Sequence, residues 1–560
     1  MRPIACVKNR PQATSYNYVL DPRPRSSQNR HSTFLLVVYN MRLISSLLLL
    51  FFLAACQPQD EAESATAPIP APPESWLISN VTIIDGSGAP GFPGSVRVSG
   101  TTIEAVGELE ALPGETTVDG GGQVLSPGFI DTHSHADGDL MEQPDALPAV
   151  SQGITTIVAG QDGSSPYPLA DFYRELQETP AAVNVAAYAG HNTLRDEILG
   201  EDYRRAATAG EVEQMETLLL QELDAGAIGL ATGLEYDPGI YSDPSEVLQL
   251  ARVAASRGGR YISHMRSEDR YFEAALEEII EIGRVTGMPV QISHFKLAMK
   301  RLWGRAGEFL ALLDAARAEG IDISADIYPY EYWQSNLMVL LPGRDINDLE
   351  EVNLALTELA PPDGLWMTQF SPQPEYVGKT LTEIAELRGV DTTTAFMQLI
   401  NESMAMEEAT GEPADAIIGT SMIESDILEL LTWPHTNICT DGGLVDLHPR
   451  ARGSFPRVLG RYVRELQALS LEEAIHKSSG LSAAHMGLTD RGLIQPGLAA
   501  DLVLLDPDKV IDQATPQDSQ ALSIGIARVW VNGQVVFADG ALVTPDSGRL
   551  PGIVIRRATP

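Results

Sequence analysis

The sequence predicts an α/β protein, a (β/α)8 TIM-like barrel with a small β-sandwich domain built from both chain ends. Short alternating strands broken by glycine occupy residues 76–124 and recur in residues 491–560, where Asn532-Gly533 predicts a hairpin turn. Between these ends, strand-like apolar runs alternate with helical stretches, which is the pattern of a parallel sheet. We therefore assign both ends to the β-sandwich and residues 125–490 to the barrel.

Eight strand-like runs match the strand number of such a barrel. The first covers residues 124–130, and the others follow at 153–160, 183–189, 228–234, 261–263, 289–293, 321–328 and 436–440. Residues 341–413 separate the last two runs and are expected to be an insertion that caps the barrel. Active sites of these barrels lie at the carboxyl ends of the strands, so titratable residues at those positions are the candidates for chemistry.

The start of the chain predicts export. Residues 1–40 are polar and show no periodicity, so they are expected to be disordered or not translated. Residues 41–56 have the features of a lipoprotein signal peptide whose lipobox, Leu-Ala-Ala-Cys, makes Cys56 the expected lipidation site. The apolar run is shorter than the ~20 residues of a spanning helix, which disfavours an uncleaved anchor. Residues 57–75 are expected to be a flexible linker on the periplasmic side of a membrane.

The composition narrows the choice of partners. A net charge of -38 argues against nucleic acid and against an anionic membrane surface, so the lipid anchor is the expected membrane contact. Of the three cysteines, Cys6 precedes the signal peptide and Cys56 takes the lipid. Cys439 is then alone in the mature protein, which predicts a buried structural thiol and no disulfide.

A pair of histidines follows the first barrel strand. His133 and His135 are separated by one residue, and alternate residues of a strand point to the same side. Two neutral imidazoles fixed in this way can chelate a metal ion. Further titratable residues stand at the ends of other predicted strands: Asp162, His191, His264, His294 and Asp441. Any one of them could be a satisfied core or turn residue, but their joint placement predicts a metal site.

Nine segments carry a resemblance to a known family. They are PGFIDTHSH (127–135), GITTIVAGQDG (153–163), GHNTLR (190–195), GAIGLATGLEYDPG (226–239), SHMRSE (263–268), GMPVQISHFK (287–296), DISADIYPY (322–330), TDGG (440–443) and HPRARGSFPRVLGRYVRE (448–465). In this order they resemble the D-aminoacylase (N-acyl-D-amino-acid deacylase) family of the amidohydrolase superfamily. The resemblance implies one or two zinc ions and hydrolysis of the amide bond of N-acyl-D-amino acids or of peptides containing a D-residue.

The resemblance also implies roles for single residues. The metal ligands would be His133, His135, His264 and His294, together with Asp162. Asp441 would be the catalytic acid and base. Tyr236, Lys296 and Arg450 would hold the carboxylate of a small-molecule substrate. His191 is not assigned by the resemblance: its position fits a residue that hydrogen-bonds a metal ligand, a residue that contacts the substrate, or a satisfied core histidine.

The chain departs from the family pattern at two places. Asp162 stands where the family carries a cysteine, and this harder ligand widens the expected metals to manganese or mixed occupancy. Residues 331–334, with Tyr332 and Trp333, are bulkier than the family pattern and are expected to reshape the substrate pocket.

Two other functions fit parts of the sequence. Cyclic-amide hydrolases of the dihydroorotase or hydantoinase kind resemble this family but carry a bridging lysine on the fourth strand, and residues 228–236 contain no lysine. A surface-tethered binding protein could keep the fold without the chemistry. All the ligand and acid/base positions are filled, however, and this favours an enzyme.

Overall fold

The computed structural model describes residues 75–420, 422–545 and 547–557. The predictions made for residues 1–74, including the signal peptide and Cys56, lie outside the described residues. Within the described ranges, no helix combines the length and the apolar character needed to cross a membrane.

The strands of the described residues are numbered along the chain. They are β1 Ser75–Ile83, β2 Phe92–Ser99, β3 Thr102–Gly107, β4 Thr116–Asp119, β5 Val124–Pro127, β6 Phe129–Asp131, β7 Ile154–Ala159, β8 Asn184–Ala187, β9 Ala189–Gly190, β10 Gly229–Gly233, β11 Arg260–His264, β12 Val290–Ile292, β13 Ile323–Ile327, β14 Tyr332–Ser335, β15 Leu365–Phe370, β16 Asp415–Thr420, β17 Thr436–Ile438, β18 Leu502–Leu505, β19 Ile526–Val531, β20 Gln534–Ala538 and β21 Ala541–Leu542.

The α-helices are numbered in the same way. They are α1 Leu147–Val150, α2 Leu169–Glu178, α3 His191–Leu199, α4 Ala209–Ala225, α5 Pro244–Ser256, α6 Phe272–Thr286, α7 Ala306–Ala318, α8 Leu349–Leu354, α9 Leu381–Arg388, α10 Thr392–Thr410, α11 Glu424–Thr432, α12 Arg450–Arg457, α13 Leu471–Ser478 and α14 Gly480–Met486.

Strands from both chain ends form one nine-stranded sheet in the order β21-β20-β19-β18-β5-β1-β2-β3, with β4 paired to β1. Its apolar side chains alternate along the strands and bury a separate core that includes Ile78, Val98 and Leu504. Trp76 stacks on Trp530 with ring centroids 5.6 Å apart, so a residue of the first strand packs on a residue of the C-terminal segment. This sheet is the small β domain that the sequence predicts.

Eight parallel strands form the barrel: β6, β7, β8 with β9, β10, β11, β12, β13 and β17. The barrel closes between β17 and β6, through hydrogen bonds of the residues that follow these strands. The Asp441 amide donates to the His133 carbonyl (2.9 Å), and the His135 amide donates to the Gly442 carbonyl (3.0 Å). The fold class predicted from the sequence is confirmed.

The first predicted run, residues 124–130, is divided in the structure. β5 pairs with β1 and β18 in the small domain, whereas β6 pairs with β7 in the barrel. Gly128 separates them, and a Cβ at this position would lie 2.1 Å from Thr155 Oγ1. The segment at Gly128 passes so close to Thr155 that only glycine fits there. The barrel therefore begins at Phe129 instead of residue 125.

The segment between β13 and β17 carries its own antiparallel sheet, in the order β14-β16-β15. The sheet begins at Tyr332, ahead of the insertion start expected at residue 341. Two ion pairs join this insertion to loops of the barrel: Arg344 with Asp237 (3.2 Å) and Glu351 with Arg270 (3.3 Å). Both loops follow strands that carry site residues, so the insertion borders the site.

The opposite end of the barrel is closed by apolar side chains. Met486 of α14 and Ile555 of the C-terminal segment pack against Ile130, Val158 and Ile262 of the barrel strands. Residues 551–557, which the sequence assigns to the β-sandwich, instead run beside β8, where the Ile555 amide donates to the Val185 carbonyl (2.8 Å).

Candidate metal centre and active site

The carboxyl ends of five barrel strands bring the predicted metal ligands and the predicted acid/base together. His133 and His135 follow β6, Asp162 follows β7, His264 ends β11 and His294 follows β12. Asp441, the predicted acid/base, follows β17 and joins them. The ligand atoms of His133, Asp162, His294 and Asp441 all lie within 4.8 Å of one another.

Asp162 lies at the centre of this cluster. Its Oδ1 is 3.3 Å from both His133 Nε2 and His294 Nε2, and its Oδ2 is 3.5 Å from His135 Nε2. The two oxygens of one carboxylate therefore face different histidines. On the other side, Asp441 Oδ1 lies 3.2 Å from His135 Nε2 and 3.5 Å from His133 Nε2.

Three of these residues adopt left-handed backbone conformations that side chains other than glycine rarely take. The φ angles are 52° at Asp162, 33° at His294 and 50° at Asp441. Neighbouring groups hold two of the turns: the His294 amide donates to Asp326 Oδ1 (2.5 Å) and the Asp441 amide to the His133 carbonyl (2.9 Å). The turns aim these side chains back across the mouth of the barrel.

Buried atoms without partners show that the cluster suits a metal. Both ring nitrogens of His133 and Oδ1 of Asp162 are buried and have no hydrogen-bond partner, and the His133 side chain is fully buried. Leaving such atoms unsatisfied costs about 1–3 kcal/mol each, and a cation bound between them removes that cost. Imidazole nitrogens and carboxylate oxygens are ligands for zinc, and the set is large enough for one or two ions.

Electrostatics keep the carboxylates of the cluster charged. Burial alone raises the pKa of Asp162, but the neighbouring His133 and His294 hold it well below its usual value. Asp441 shows the same balance, since Arg450 and His294 outweigh burial and lower its pKa. For His135, burial lowers the pKa, while Asp162 and Asp441 raise it well above the usual value.

A group of cations and a tyrosine faces the cluster. Arg450 Nη1 lies 2.5 Å from Asp441 Oδ2, and Lys296 Nζ lies 2.6 Å from Glu268 Oε2. Tyr328 lies between these cations, with Arg450 Cζ 4.7 Å and Lys296 Nζ 6.0 Å from its ring centroid. The Tyr328 hydroxyl and Arg450 Nε are buried and have no partner, which leaves two donors for an anionic ligand.

The remaining predicted residues have different surroundings. The Tyr236 ring packs against the predicted ligand His264 at an interplanar angle of 49°, with ring centroids 4.4 Å apart. His191 lies apart from the cluster, since its Nε2 contacts Glu246 Oε1 (2.8 Å), and Arg195 Nη1 binds the same carboxylate. This buried ion-pair group fixes the start of α3, so support of the ligands by His191 remains a sequence expectation.

The two bulky residues expected to reshape the pocket differ in position. The Tyr332 ring packs against His448 at an interplanar angle of 41°, with ring centroids 4.9 Å apart, and His448 Nδ1 accepts a hydrogen bond from the Arg450 amide (2.9 Å). Tyr332 is therefore connected to the site through His448 and Arg450. Trp333 packs inside the insertion sheet, where a Cβ on Gly419 would lie 2.4 Å from its ring.

Three residues of the site are not predicted as functional by the sequence: Tyr328, Glu235 and Glu268. Glu235 Oε2 lies 3.1 Å from His264 Nε2, and Glu268 Oε1 lies 3.0 Å from His294 Nδ1. Each residue lies inside a segment that carries the family resemblance and at or after the end of a barrel strand. That position is the feature of the sequence that points to these three residues. Glutamate and tyrosine are common near strand ends, however, so position alone does not identify them as site residues.

An eight-stranded barrel with histidines and carboxylates at its strand ends defines the class of TIM-barrel metal-dependent hydrolases. Residues 116–537 match the model of the amidohydrolase family. The chain is 37% identical to D-aminoacylase of Alcaligenes xylosoxydans xylosoxydans over 506 residues, 85% of this chain and 97% of that protein. It is also 37% identical to N-acyl-D-glutamate deacylase of the same organism over 505 residues, 86% of this chain and 96% of that protein.

A solved structure extends this similarity to three dimensions. The crystal structure of N-acyl-D-glutamate deacylase from Bordetella bronchiseptica, complexed with zinc and a phosphonate inhibitor, has a TM-score of 0.77 and 36% identity. The match covers 86% of this chain and 100% of that chain. The chain belongs to the amidohydrolase family and, within it, to the D-aminoacylase family, as the sequence predicts.

Proposed function

We propose that the protein is a zinc-dependent deacylase that hydrolyses the amide bond of N-acyl-D-amino acids, or of peptides containing a D-residue. The observation that carries this proposal is the position of Asp441 between two groups of side chains. Asp441 Oδ1 faces the candidate metal ligands, and Asp441 Oδ2 is bound by Arg450, which belongs to the proposed binding site for a carboxylate. The choice of the D-series follows the names of the relatives.

Zinc, when bound to the ligand cluster, activates water and polarises an amide carbonyl. Asp441 is placed to move protons in this reaction. Its Oδ1 faces the ligands His133 and His135, while its Oδ2 is held by Arg450 at 2.5 Å. An ionised carboxylate fixed in this way accepts the proton of the attacking water through Oδ1 and then delivers it to the leaving nitrogen.

The substrate carboxylate is proposed to bind beside Tyr328. The two unpartnered donors there, the Tyr328 hydroxyl and Arg450 Nε, are buried next to the positive charge of Lys296. Charge-assisted hydrogen bonds of this kind are about twice as strong as neutral ones. They would fix the substrate so that its amide bond faces the metal ligands.

Export is part of the proposal. The lipobox ending at Cys56 supports a bacterial lipoprotein that faces the periplasm, with the linker as a tether for the domains. Labelling with a radioactive fatty acid tests this: incorporation in the natural chain and none in a Cys56→Ala variant is the expected result. Label in both proteins would contradict it.

The activity is tested by amine release from paired N-acetyl-D- and N-acetyl-L-amino acids, with zinc content measured on the same preparations. Release from the D-series, with kcat reduced ~10²–10⁴-fold in Asp441→Asn, is the expected result. Release from cyclic amides but not from either linear series would favour the dihydroorotase-like alternative. Bound zinc with no turnover of any amide would favour the binding protein.

A further inference from the structure

Glu268 lies between two parts of the site that were described separately, the metal ligand His294 and the substrate-binding Lys296. It follows β11, four residues after His264, and its side chain is 5% exposed. Its backbone amide donates to Glu235 Oε1 (2.5 Å), which fixes the loop that carries it. A buried carboxylate in this position contacts both neighbours at once.

The first contact is with Lys296. The ammonium Nζ lies 2.6 Å from Glu268 Oε2 and 2.7 Å from Oε1, and the Lys296 side chain is 6% exposed. Among the residues that the structure describes, Glu268 is the one carboxylate within ion-pairing distance of Lys296. A buried ammonium that loses its partner is strongly destabilised, so Glu268 keeps Lys296 charged and in place.

The second contact is with His294. Its Nε2 faces the ligand cluster, 3.3 Å from Asp162 Oδ1 and 3.0 Å from His264 Nδ1. Its Nδ1 faces the other way, 3.0 Å from Glu268 Oε1 and 2.7 Å from Lys296 Nζ. An ammonium group can only donate, so Lys296 competes for the Nδ1 lone pair, and Glu268 opposes this by binding the same ammonium with both of its oxygens. A carboxylate that accepts the Nδ1 proton favours the tautomer in which the Nε2 lone pair is free for a metal ion, and it also fixes the ring orientation.

We propose that Glu268 is a positioning residue whose single carboxylate holds both the ligand His294 and Lys296, so that zinc affinity and substrate affinity depend on the same group. The substrate half of this inference rests on the proposed deacylase function, whereas the zinc half does not. The competing role is that of a direct ligand, because Glu268, His264 and His294 offer atoms within 4.8 Å of one another.

Zinc binding tests the first half. Glu268→Gln keeps the shape of the side chain and removes its charge, and we expect zinc affinity, measured against a chromophoric chelator, to fall ~10–100-fold. Glu278→Gln is the control, because Glu278 lies on α6, pairs with Arg266 (2.8 Å) and belongs to neither group of potential metal ligands. The d–d spectrum of the cobalt-loaded protein should be the same in both variants. An unchanged zinc affinity in Glu268→Gln, or a cobalt spectrum of different coordination number, would overturn the positioning role.

A double-mutant cycle with Lys296→Met tests the second half. We expect Glu268→Gln to raise KM for an N-acetyl-D-amino acid by ~10-fold in the natural background, because Lys296 loses its partner. In the Lys296→Met background the same change should leave KM within about twofold, while the loss of zinc affinity persists. Equal effects on KM in the two backgrounds would contradict the coupling.

The two proposals fail in distinguishable ways. Absence of amine release by the natural protein would refute the deacylase function, and the zinc and cobalt measurements would still decide the role of Glu268 toward His294. In that case, the contact between Glu268 and Lys296 is tested by the thermal unfolding of the four proteins of the cycle: the natural protein, Glu268→Gln, Lys296→Met and the double variant. Non-additive shifts of Tm support the pairing, and additive shifts refute it. Circular dichroism checks that each variant is folded.

Discussion

As a proposed metal ligand, Asp162 would determine the chemical character of the metal centre. Its two oxygens face different histidines, so the centre contains only nitrogen and oxygen donors where the family pattern includes a sulfur. Oxygen donors discriminate less between zinc and harder divalent ions than a thiolate does. The replacement changes which metals compete for the site and leaves the surrounding histidines in place.

Replacing Asp162 with cysteine tests this view. We expect Asp162→Cys to bind zinc more tightly relative to manganese than the natural protein does, because thiolate is the softer donor. Metal content after dialysis against an equimolar mixture of the two ions gives the ratio. Asp171→Cys is the control, since Asp171 is exposed and pairs with Arg174 at 2.6 Å outside the candidate metal cluster. An equal ratio in the natural protein and in Asp162→Cys would show that residue 162 does not set the preference.

Asp326 stabilises the left-handed backbone turn at His294, a predicted metal ligand. Its carboxylate accepts the His294 amide (2.5 Å) and the Gln291 side-chain amide (2.6 Å), and it is fully buried. We expect Asp326→Ala to lower the free energy of unfolding by about 1–3 kcal/mol for each donor left unsatisfied and to weaken zinc binding. Asp326→Asn keeps an acceptor and should lose less of both. Chemical denaturation and zinc titration measure the two effects, and equal losses in both variants would exclude the hydrogen bond as the cause.

The sequence predicts the candidate ligands that the structure brings together, but it does not predict every partner of each candidate. His133 and His135 are recognisable because a strand places alternate residues on one side, and this needs no knowledge of the fold. The contact of Glu268 with Lys296 joins segments that follow different strands and depends on side-chain directions. His191 shows the reverse case: it stands at a strand end, yet its bond goes to Glu246 on α5.

At the level of elements, local chemistry accounts for much of what the sequence predicts. Asn532-Gly533 forms the hairpin between β19 and β20, with φ angles of 48° and 78°. The insertion sheet was not foreseen because β14, β15 and β16 pair across long separations. β14, an edge strand of this sheet, begins directly after the segment 322–330, which contains the seventh barrel strand, β13. Alternation within a strand identifies the strand but not its partner.

An ion pair in the small domain predicts a pH dependence of stability. Arg97 binds Glu115 at 2.7 Å and 3.0 Å, and this bond, against the opposing effect of burial, lowers the pKa of Glu115 to about 2. A carboxyl whose folded pKa lies below its usual value stabilises the fold above that usual value, and the contribution is lost as pH falls toward 2. We expect Arg97→Met to lower Tm at pH 7 and to flatten the fall of Tm between about pH 5 and pH 2.

The control for this prediction is an exposed pair. Arg174→Met removes the partner of Asp171, and both side chains are more than half exposed, so Tm should change little at any pH. Parallel Tm profiles for the natural protein and Arg97→Met would rule out the proposed contribution of the pair.

For the whole molecule, the C-terminal segment is a structural part of the barrel. Ile555 is 9% exposed and closes the end opposite the active site, whereas Ile553 on the same segment is 47% exposed. We expect Ile555→Ala to lower the free energy of unfolding by about 2–4 kcal/mol, because it leaves a cavity in the core. Ile553→Ala should stay within about 0.5 kcal/mol of the natural protein. Denaturant unfolding measures both values, and similar losses would show that closure by Ile555 contributes nothing.

The pairing of β5 with β18 determines when the nine-stranded sheet can be completed during synthesis of the chain. Val124 lies opposite Leu505 in this ladder, so β5, which pairs with β1 on its other side, gains this neighbour only when residues 502–505 have emerged. Until the entire barrel has been synthesised, one edge of β5 is unpaired, and an unpaired edge can associate with other chains. A ribosome-stalled chain that ends before residue 502 should therefore remain sensitive to protease in residues 75–127, even where its barrel has already become resistant.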